Sequence, residues 1–214
     1  LVLAPPYYLP PGQPELQEYV EHLAAELPLP LFLYNMPGLT KVQYEMECLR
    51  RAMDIPRIVG LKDSSNDMNY FKDALGLLKH RPDWTLLVGP EERLAETVLA
   101  GGHGGVNGGA NLFPKLYVQL YQAARAGDRL RTEQLHAQVM QISQSLYRIG
   151  RYSSSIIKGI KCALACQGIC DDFMAEPFHR FRAEERARVE RCLPELKAGV
   201  DKLVSNNHPA PAVA

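Results

Sequence analysis

The feature of this chain that most limits its fold is a regular alternation of short apolar runs with amphipathic segments in its first half. The apolar runs have β-strand character and end in Pro, Asn or Asp. They are Leu1–Pro6, Leu29–Asn35, Ile58–Asp63, Trp84–Pro90 and Gly104–Asn111. The segments between them show helical periodicity. These are Glu15–Glu26, Val42–Met53, Met68–Lys79 and Glu91–Ala100. Such an alternation predicts βαβ units and a parallel sheet.

The strand pattern stops near Phe113, and helical periodicity continues alone. The helices predicted there are Lys115–Ala126, Arg129–Ile149, Ser155–Gln167 and Pro177–Val204. Pro194 is expected to break or kink the last of them, because a proline inside a helix removes a hydrogen bond and clashes with the preceding turn. The tail, residues 205–214, carries Asn and Pro residues that interrupt any periodicity, so it is expected to be disordered.

Five strand signals are fewer than a closed (β/α)8 barrel needs, since such a barrel has eight strands and typically about 250 residues. The alternatives are an open sheet or the C-terminal part of a barrel. The first run begins at Leu1 with no turn residue ahead of it. This favours the second alternative: residues 1–112 would be the C-terminal part of a (β/α)8 TIM barrel without its N-terminal strands, and residues 113–204 a helical C-terminal region.

Composition indicates a water-soluble protein and excludes several functional classes. The chain has 24 basic and 24 acidic residues and no basic stripe with interleaved aromatic residues, which argues against nucleic-acid binding. No apolar run reaches membrane-spanning length. No secretory signal pattern is present, and five scattered cysteines suit a reducing compartment, so we expect a cytoplasmic protein.

No cofactor or metal site is predicted. Cys162, Cys166 and Cys170 are spaced four apart and would line one face of a helix if the helix continued past Gly168. Such a stripe spreads its sulfur atoms too far apart for tetrahedral zinc. They are interpreted as small core residues, with a metal site as the alternative. His103 and His136 are interpreted as surface or packing residues.

A lysine, Lys62, closes the third apolar run, where packing alone would favour an apolar side chain. Burying an ammonium group without a partner costs more free energy than a packed methylene contributes. Desolvation lowers the pKa of an amine, and a neutral amine can attack a carbonyl carbon to form a Schiff base. A lysine whose head group reaches solvent is the alternative interpretation.

Other reactive residues also collect where the apolar runs end. Tyr8 follows the first run, Tyr34 lies near the end of the second, and Glu91 and Glu92 follow the fourth. In parallel α/β folds the carboxyl ends of the strands form one face, and active sites are built there. The sequence therefore predicts two phenols, an amine and two carboxylates around one cavity.

Five motifs along the chain match a known family in order. They are PPYY at residues 5–8, YNMPGLT at 34–40, GLKDSS at 60–65, GPEE at 89–92 and GGHGGVNGGAN at 101–111. With them the chain resembles the pyruvate-dependent class I aldolases of the dihydrodipicolinate synthase and N-acetylneuraminate lyase superfamily. The likeness runs from Leu1 to about Arg191. It implies a (β/α)8 barrel with a helical C-terminal region, and a homotetramer.

The resemblance also implies roles for individual residues. Lys62 is similar to the lysine that condenses with the keto group of pyruvate or a larger 2-keto acid. Tyr34 is similar to the tyrosine that carries the proton to and from the substrate oxygen. Tyr8 matches a tyrosine that reaches across a subunit interface to a neighbour's proton relay. The backbone around Val106 resembles the wall beside the pyruvyl unit, although a phosphate cradle is an alternative interpretation of Gly101–Gly109.

Departures from the family pattern bear on the substrate. Dihydrodipicolinate synthases carry an arginine where this chain has Leu39, and leucine makes no bidentate carboxylate contact. The family's GTTGE-like motif, which supplies a hydroxyl pair, does not occur here. Leu39 with Ser64, and the carboxylates that follow Gly89, resembles instead the branch of sialic acid lyases and 2-keto-3-deoxy sugar acid aldolases. Gly108 stands where the lyase has a serine, which argues against sialic acid itself.

These observations lead to one functional hypothesis and its alternatives. The substrate-binding residues would be Ser64, Gly89, Glu91, Glu92, Val106 and Gly108. The protein would cleave or form a 2-keto acid, with a 2-keto-3-deoxy sugar acid as the preferred substrate class, giving pyruvate and an aldehyde. Dihydrodipicolinate synthase-like or keto-acid dehydratase activity is one alternative. A non-catalytic truncated barrel that binds keto acids is the other.

Overall fold

A computed structural model describes residues 1–205, which form two compact units, Leu1–Val106 and a second that begins at Asn107. The strands of the first unit are β1 (Val2–Leu3), β2 (Leu31–Asn35), β3 (Ile58–Asp63), β4 (Thr85–Val88) and β5 (Gly104–Gly105). Its helices are α1 (Gln13–Glu26), α2 (Pro37–Thr40), α3 (Met46–Met53), α4 (Met68–Gly76) and α5 (Leu94–Leu99). The strand that carries Lys62, β3, has the bounds that the sequence predicts.

The strands form one parallel sheet, and their spatial order, β1-β2-β3-β4-β5, is their order along the chain. Right-handed crossovers between neighbouring parallel strands place successive helices on the same side of a sheet. This single direction of winding is that of a (β/α)8 barrel, whereas a doubly wound sheet reverses its strand order at a switch point. The topology therefore favours a barrel over the open-sheet alternative.

The two faces of the sheet differ in burial, because successive side chains of a strand point to opposite faces. One face is almost fully buried and carries Leu31, Leu33, Leu61, Leu86 and Val88. The register pairs Tyr34 with Lys62 and Lys62 with Leu87, so these three lie on the other face. Their side chains are half-buried. The helices thus cover the first face, and the reactive residues lie on the second.

Helix α3 begins four residues later than the predicted Val42, at Met46. The residues before it are held in a non-helical conformation by bonds to distant side chains. Gln13 donates from Nε2 to the carbonyl of Gln43 at 2.8 Å, and its Oε1 accepts from the amide of Glu45 at 3.0 Å. Partners this distant in sequence leave no trace in local periodicity, so the predicted start was wrong for a tertiary reason.

The glycine-rich run also differs from its prediction as a strand over Gly104–Asn111. Only Gly104–Gly105 pairs as β5, and Gly108–Asn111 forms a 3₁₀ helix in the second unit. Glycine lacks the side-chain packing that favours extended backbone, so strand pairing here depends on β4 alone.

The second unit is helical, as predicted from about Phe113 onward. Its helices are α6 (Pro114–Arg125), α7 (Arg129–Leu146), α8 (Ser155–Cys166) and α9 (Ala183–Ser205). Pro194 does not break the last helix, because α9 continues through it, so that part of the expectation was wrong and the kink stays a prediction. An interior proline costs about 3 kcal/mol of helix stability. The buried stripe Val189, Leu193, Leu196 and Val200 on the same helix supplies packing that offsets this cost.

The cysteine stripe does not lie on one helix. Cys162 is buried in α8, Cys166 ends that helix half-buried, and Cys170 is exposed beyond it. The interpretation of all three as core residues therefore holds for Cys162 and was wrong for Cys170. Among residues 1–205, no three His, Cys, Asp or Glu side chains are grouped so that they could hold a metal ion.

Within that same range, no helix is both long and apolar enough to cross a membrane. The assignment of residues 1–112 to a barrel portion and 113–204 to a helical region stays a prediction. The tail expected to be disordered lies outside the described residues, apart from Ser205, which ends α9.

Candidate active site

Lys62 and Tyr34 lie side by side at the carboxyl ends of β3 and β2. The strand register sets them opposite each other, and Lys62 Nζ lies 4.2 Å from the centroid of the Tyr34 ring. The face of an aromatic ring attracts a cation, by about 0.5–1 kcal/mol at partly exposed sites. The expected meeting of an amine and a phenol is therefore present within a single chain.

Backbone pairing continues beyond the strands and arranges the next residues along the same edge. The amide of Ser64 donates to the carbonyl of Asn35 at 2.8 Å, and the amide of Gly89 donates to the carbonyl of Asp63 at 2.7 Å. The amide of Val106 donates to the carbonyl of Val88 at 2.9 Å. Ser64, Gly89 and Val106 thus follow β3, β4 and β5 in a continuous hydrogen-bonded series.

The side chain of Ser64 lies directly against the backbone of Gly89. An ideal Cβ on Gly89 would lie 1.9 Å from Ser64 Oγ and 3.0 Å from Ser64 Cβ. Real Cβ atoms do not come as close to another atom as 1.9 Å, so either Ser64 or the backbone would have to move. The hydroxyl of Ser64 therefore occupies the space at the end of β4.

Gly89→Ala is expected to lower the free energy of unfolding by about 1–2 kcal/mol, the usual penalty of overpacking. Ser64→Gly removes the two atoms closest to the new methyl group. In that background the same substitution should cost about 1 kcal/mol less. Urea unfolding of the wild type, both single variants and the double variant measures this difference. Equal costs in the two backgrounds would show that the clash is not with Ser64.

The two carboxylates that follow β4 are placed differently from each other. Both belong to a short 3₁₀ helix, Glu91–Arg93, that directly follows Gly89 and Pro90. Glu91 is 5% exposed, whereas Glu92 is half-buried. The sequence-based prediction gave both residues the same role. Their different burial makes Glu92 the more accessible group for a ligand.

Two further candidates belong to other segments of the chain. Tyr8 is in the segment between β1 and α1, and its side chain is 85% exposed. Gly108 opens the 3₁₀ helix of the second unit and is described only with that unit. Their assignment to the site stays a prediction.

The phosphate-cradle interpretation loses support in the part of the glycine run that belongs to the first unit. A cradle needs backbone amides that point at the ligand. Here the amides of Gly101, Gly102, His103 and Val106 all donate to carbonyl groups of the protein. The accepting carbonyl groups are, in the same order, those of Val98, Thr97, Leu86 and Val88.

Two residues of the site were missed by the sequence analysis, Asn35 and Asp63. They directly follow Tyr34 and Lys62 but lie on the buried face of the sheet, where they are 0% and 2% exposed. Asn35 Nδ2 donates to Asp63 Oδ1 at 2.8 Å. Burial raises the pKa of Asp63, while hydrogen bonds from Asn35 and Ser65 act in the opposite direction. A polar residue directly after each candidate catalytic residue was the available signal.

Comparison with known proteins identifies the family. The model of the dihydrodipicolinate synthetase family matches residues 1–196. The chain belongs to this family. The resemblance drawn from its five motifs is therefore confirmed.

The relatives of this family member include synthases and aldolases. A dihydrodipicolinate synthase from Bacteroides thetaiotaomicron is 51% identical, with a TM-score of 0.87 over 91% of this chain and 65% of that one. YagE from Escherichia coli, solved in complex with pyruvate, is 27% identical, with a TM-score of 0.83 over 92% of this chain and 65% of that one. A probable 2-dehydro-3-deoxy-D-pentonate aldolase of E. coli, YjhH, is 29% identical over 79% of this chain and 56% of its own length.

The chain thus spans less than two-thirds of the length of these relatives. Over that part it has the fold of the family's TIM barrels, and the predicted fold class is confirmed.

Proposed function

We propose that this family member is a class I aldolase, a carbon–carbon lyase that forms a Schiff base between Lys62 and a 2-keto acid. The observation that carries the proposal is the placement of Lys62 Nζ 4.2 Å from the ring centroid of Tyr34, at the carboxyl ends of adjacent strands. A primary amine beside a phenol supplies both a nucleophile for a keto carbon and a group for proton transfer. The pyruvate bound to YagE is in keeping with such a ligand.

The reaction follows from these two groups. Lys62 Nζ attacks the keto carbon, water leaves, and a protonated imine forms. The imine draws electrons from the bond between the carbons α and β to it. As that bond breaks, the hydroxyl on the β carbon loses its proton and becomes the carbonyl of the released aldehyde. Protonation of the remaining enamine and hydrolysis of the imine then free pyruvate and Lys62. We assign the proton transfers at the substrate oxygen to Tyr34.

The ring of Tyr34 has a second effect on this chemistry. It stabilises positive charge at the position of Lys62 Nζ, where the nitrogen carries that charge both as an ammonium and as the protonated imine. The contact with the ring is therefore kept when the adduct forms.

We propose a 2-keto-3-deoxy sugar acid as the substrate class. The hydroxyl of Ser64 and the carboxylate of Glu92 lie at the end of the sheet that carries Lys62, and both groups hydrogen-bond sugar hydroxyls well. The resemblance to YjhH and the presence of Leu39 point in the same direction. Leu39 is 68% exposed, so an aldehyde held there would meet an apolar side chain.

Synthase activity is the second candidate, and one observation favours it. The relative from B. thetaiotaomicron is 51% identical and is described as a dihydrodipicolinate synthase. Condensation and cleavage share every step up to the enamine, so Lys62 and Tyr34 serve both reactions. Dehydration through the same imine is a further variant of this chemistry.

We also propose that the protein is a cytoplasmic homo-oligomer, with a homotetramer as the expected form. All five cysteines are free. Tyr8 is 85% exposed and follows Tyr7, which is 72% exposed, so this segment presents two aromatic side chains to a second copy. Burial of such residues is typical of subunit interfaces.

Reduction with borohydride in the presence of pyruvate is expected to leave one reduced pyruvyl group on each chain, attached at Lys62. Intact mass measures the addition, and peptide mapping locates it. Incubation without pyruvate is the control for borohydride alone. The absence of an adduct would contradict the proposed function and favour the non-catalytic alternative.

The substrate class is tested in parallel by two assays on the same preparation. Release of pyruvate from 2-keto-3-deoxy sugar acids is expected to exceed condensation of pyruvate with aspartate semialdehyde. The reverse order would favour the synthase.

A further inference from the structure

Asn35 and Asp63 form a buried hydrogen-bonded pair directly behind the reactive residues. Their pairing in the sheet follows that of Tyr34 with Lys62 by one residue. Besides the bond from Asn35 Nδ2, Asp63 accepts from the amide of Ser65 at 3.1 Å and from its hydroxyl at 3.0 Å. Asn35 Oδ1 accepts from the amide of Tyr44 at 3.2 Å. The pair is thus anchored on both sides, by the segment between α2 and α3 and by the loop that follows β3.

Burying such a polar pair on a covered sheet face costs free energy. A carboxylate removed from water loses several kcal/mol of solvation, and only good hydrogen bonds recover it. Two apolar side chains of similar volume would pack there at lower cost. Hydrogen bonds depend on direction, whereas apolar contacts do not. The hydrogen bonds of the polar pair therefore form in one register of β2 against β3 and are broken in the others. A slip of one residue would move every side chain of a strand to the opposite face.

We propose that Asn35 and Asp63 are positioning residues for the proposed Schiff-base chemistry: their hydrogen bond fixes the strand ends in the register that holds Lys62 Nζ against the ring of Tyr34. They act through the backbone, since their side chains point away from the face that carries the amine and the phenol. A displacement of about 1 Å between reacting groups lowers rates by up to ~100-fold. This inference rests on the proposed function for its kinetic consequence.

Asn35 and Asp63 each carry two polar side-chain atoms, and exchanging donors and acceptors among these four atoms tests the proposal. Asn35→Asp replaces the donor by a second carboxyl, so at a pH high enough to ionise both groups two acceptors face each other. Asp63→Asn keeps an acceptor for Asn35 and Ser65 and adds an amide that can donate to the Ser65 hydroxyl. In Asn35→Asp/Asp63→Asn the donor and acceptor exchange places, so a bond between the strands is possible again.

The rate of pyruvate adduct formation at Lys62, measured by quenching with borohydride at several pyruvate concentrations, is expected to fall about 10–100-fold in Asn35→Asp. Asp63→Asn and the double variant are expected to stay within about threefold of the wild type. The loss in Asn35→Asp should appear in the maximal rate at saturating pyruvate. Leu49→Ala, which opens the buried packing of α3, is the control for lost stability alone and should not slow the adduct while folded.

A second readout needs no substrate. The amide of Ser64 bonds to the carbonyl of Asn35 at 2.8 Å, so its hydrogen exchange reports pairing at the strand ends. Exchange at Ser64 should accelerate in Asn35→Asp and return toward the wild-type rate in the double variant. If the wild type forms no adduct but this pattern appears, the proposed function fails, while the role of the pair in fixing the strand register stands.

Three results would overturn the inference. Asn35→Asp could be folded and form the adduct at the wild-type rate, or the double variant could be as slow as Asn35→Asp. Leu49→Ala could also slow the adduct as much as Asn35→Asp does, which would show that lost stability is the whole effect. If Asn35→Asp does not fold, the double variant becomes the test. The inference requires that it folds, and that its rates of adduct formation and of hydrogen exchange at Ser64 are near those of the wild type.

Discussion

Replacing Lys62 by arginine is expected to abolish the pyruvate adduct and to lower turnover of the 2-keto acid by about three orders of magnitude or more. A guanidinium group stays protonated in proteins, so it has no free electron pair with which to attack a keto carbon. It does keep a positive charge beside the ring of Tyr34. The free energy of unfolding should therefore change by less than about 0.5 kcal/mol. Intact mass after borohydride reduction measures the adduct, and urea unfolding measures stability.

Two other substitutions separate the causes. Lys72 is exposed on α4, and Lys72→Arg makes the same chemical change away from the site, so it should leave adduct and turnover unchanged. Lys62→Ala removes the charge as well as the nucleophile. Its free energy of unfolding should therefore be about 0.5–1 kcal/mol lower than that of Lys62→Arg. An adduct that persists in Lys62→Arg would show that another lysine is the nucleophile, and peptide mapping would identify it.

The sequence was sufficient to place Lys62 beside Tyr34 because two local rules combine. Apolar runs that alternate with helical periodicity predict parallel strands. The ends of parallel strands lie at one edge of the sheet. The bounds of β3 followed directly from its run Ile58–Asp63. Nothing in this reasoning required a contact between distant residues.

The sequence was insufficient where distant partners decide the local structure. Gln13 holds residues 43–45 out of the helix predicted there, and the packed stripe of α9 carries that helix through Pro194. The bond between Asn35 and Asp63 joins residues 28 apart along the chain. Such effects depend on which segments meet in the fold, and hydropathy patterns within a segment carry no information about its partner.

The glycine run shows a different limit. Its motif indicated the family, but its secondary structure was wrongly predicted beyond Gly105. Glycine has no side chain whose burial could favour one conformation over another. Motif recognition and strand prediction therefore use different properties of the same residues, and success in one does not carry over to the other.

Arg81→Met is expected to lower the free energy of unfolding by about 3 kcal/mol, the largest stability loss predicted for this chain. Arg81 Nη1 lies within 3.0 Å of three carbonyl oxygens, and Nη2 lies 3.1 Å from a fourth. The acceptors are Met53, Ile55, Ile58 and Pro56. One side chain thus bonds to the last residue of α3, to the first residue of β3 and to two residues of the connection between them. Methionine has a similar length but no donor, so these carbonyl groups would lose a charged partner in a site where Arg81 is 17% exposed.

The matched control is Arg51→Met on α3, because Arg51 is 59% exposed and pairs with Glu47 at the surface. Exposed pairs of this kind contribute about 0.5 kcal/mol or less. Urea unfolding should show a lower midpoint and an unchanged slope for Arg81→Met, and almost no shift for the control. Equal shifts would contradict the assignment of stability to the four carbonyl contacts.

The same variant separates stability from chemistry. Arg81 binds at the start of β3, and Lys62 lies four residues further along the strand, about 13 Å away at the usual rise per residue. Arg81→Met should therefore form the pyruvate adduct at the wild-type rate at any temperature at which it is folded. Asn35→Asp, in contrast, should slow the adduct while folded, because its bond lies at the end of the strand that carries the amine. A loss of adduct in folded Arg81→Met would mean that the whole of β3, and not its carboxyl end alone, sets the position of Lys62.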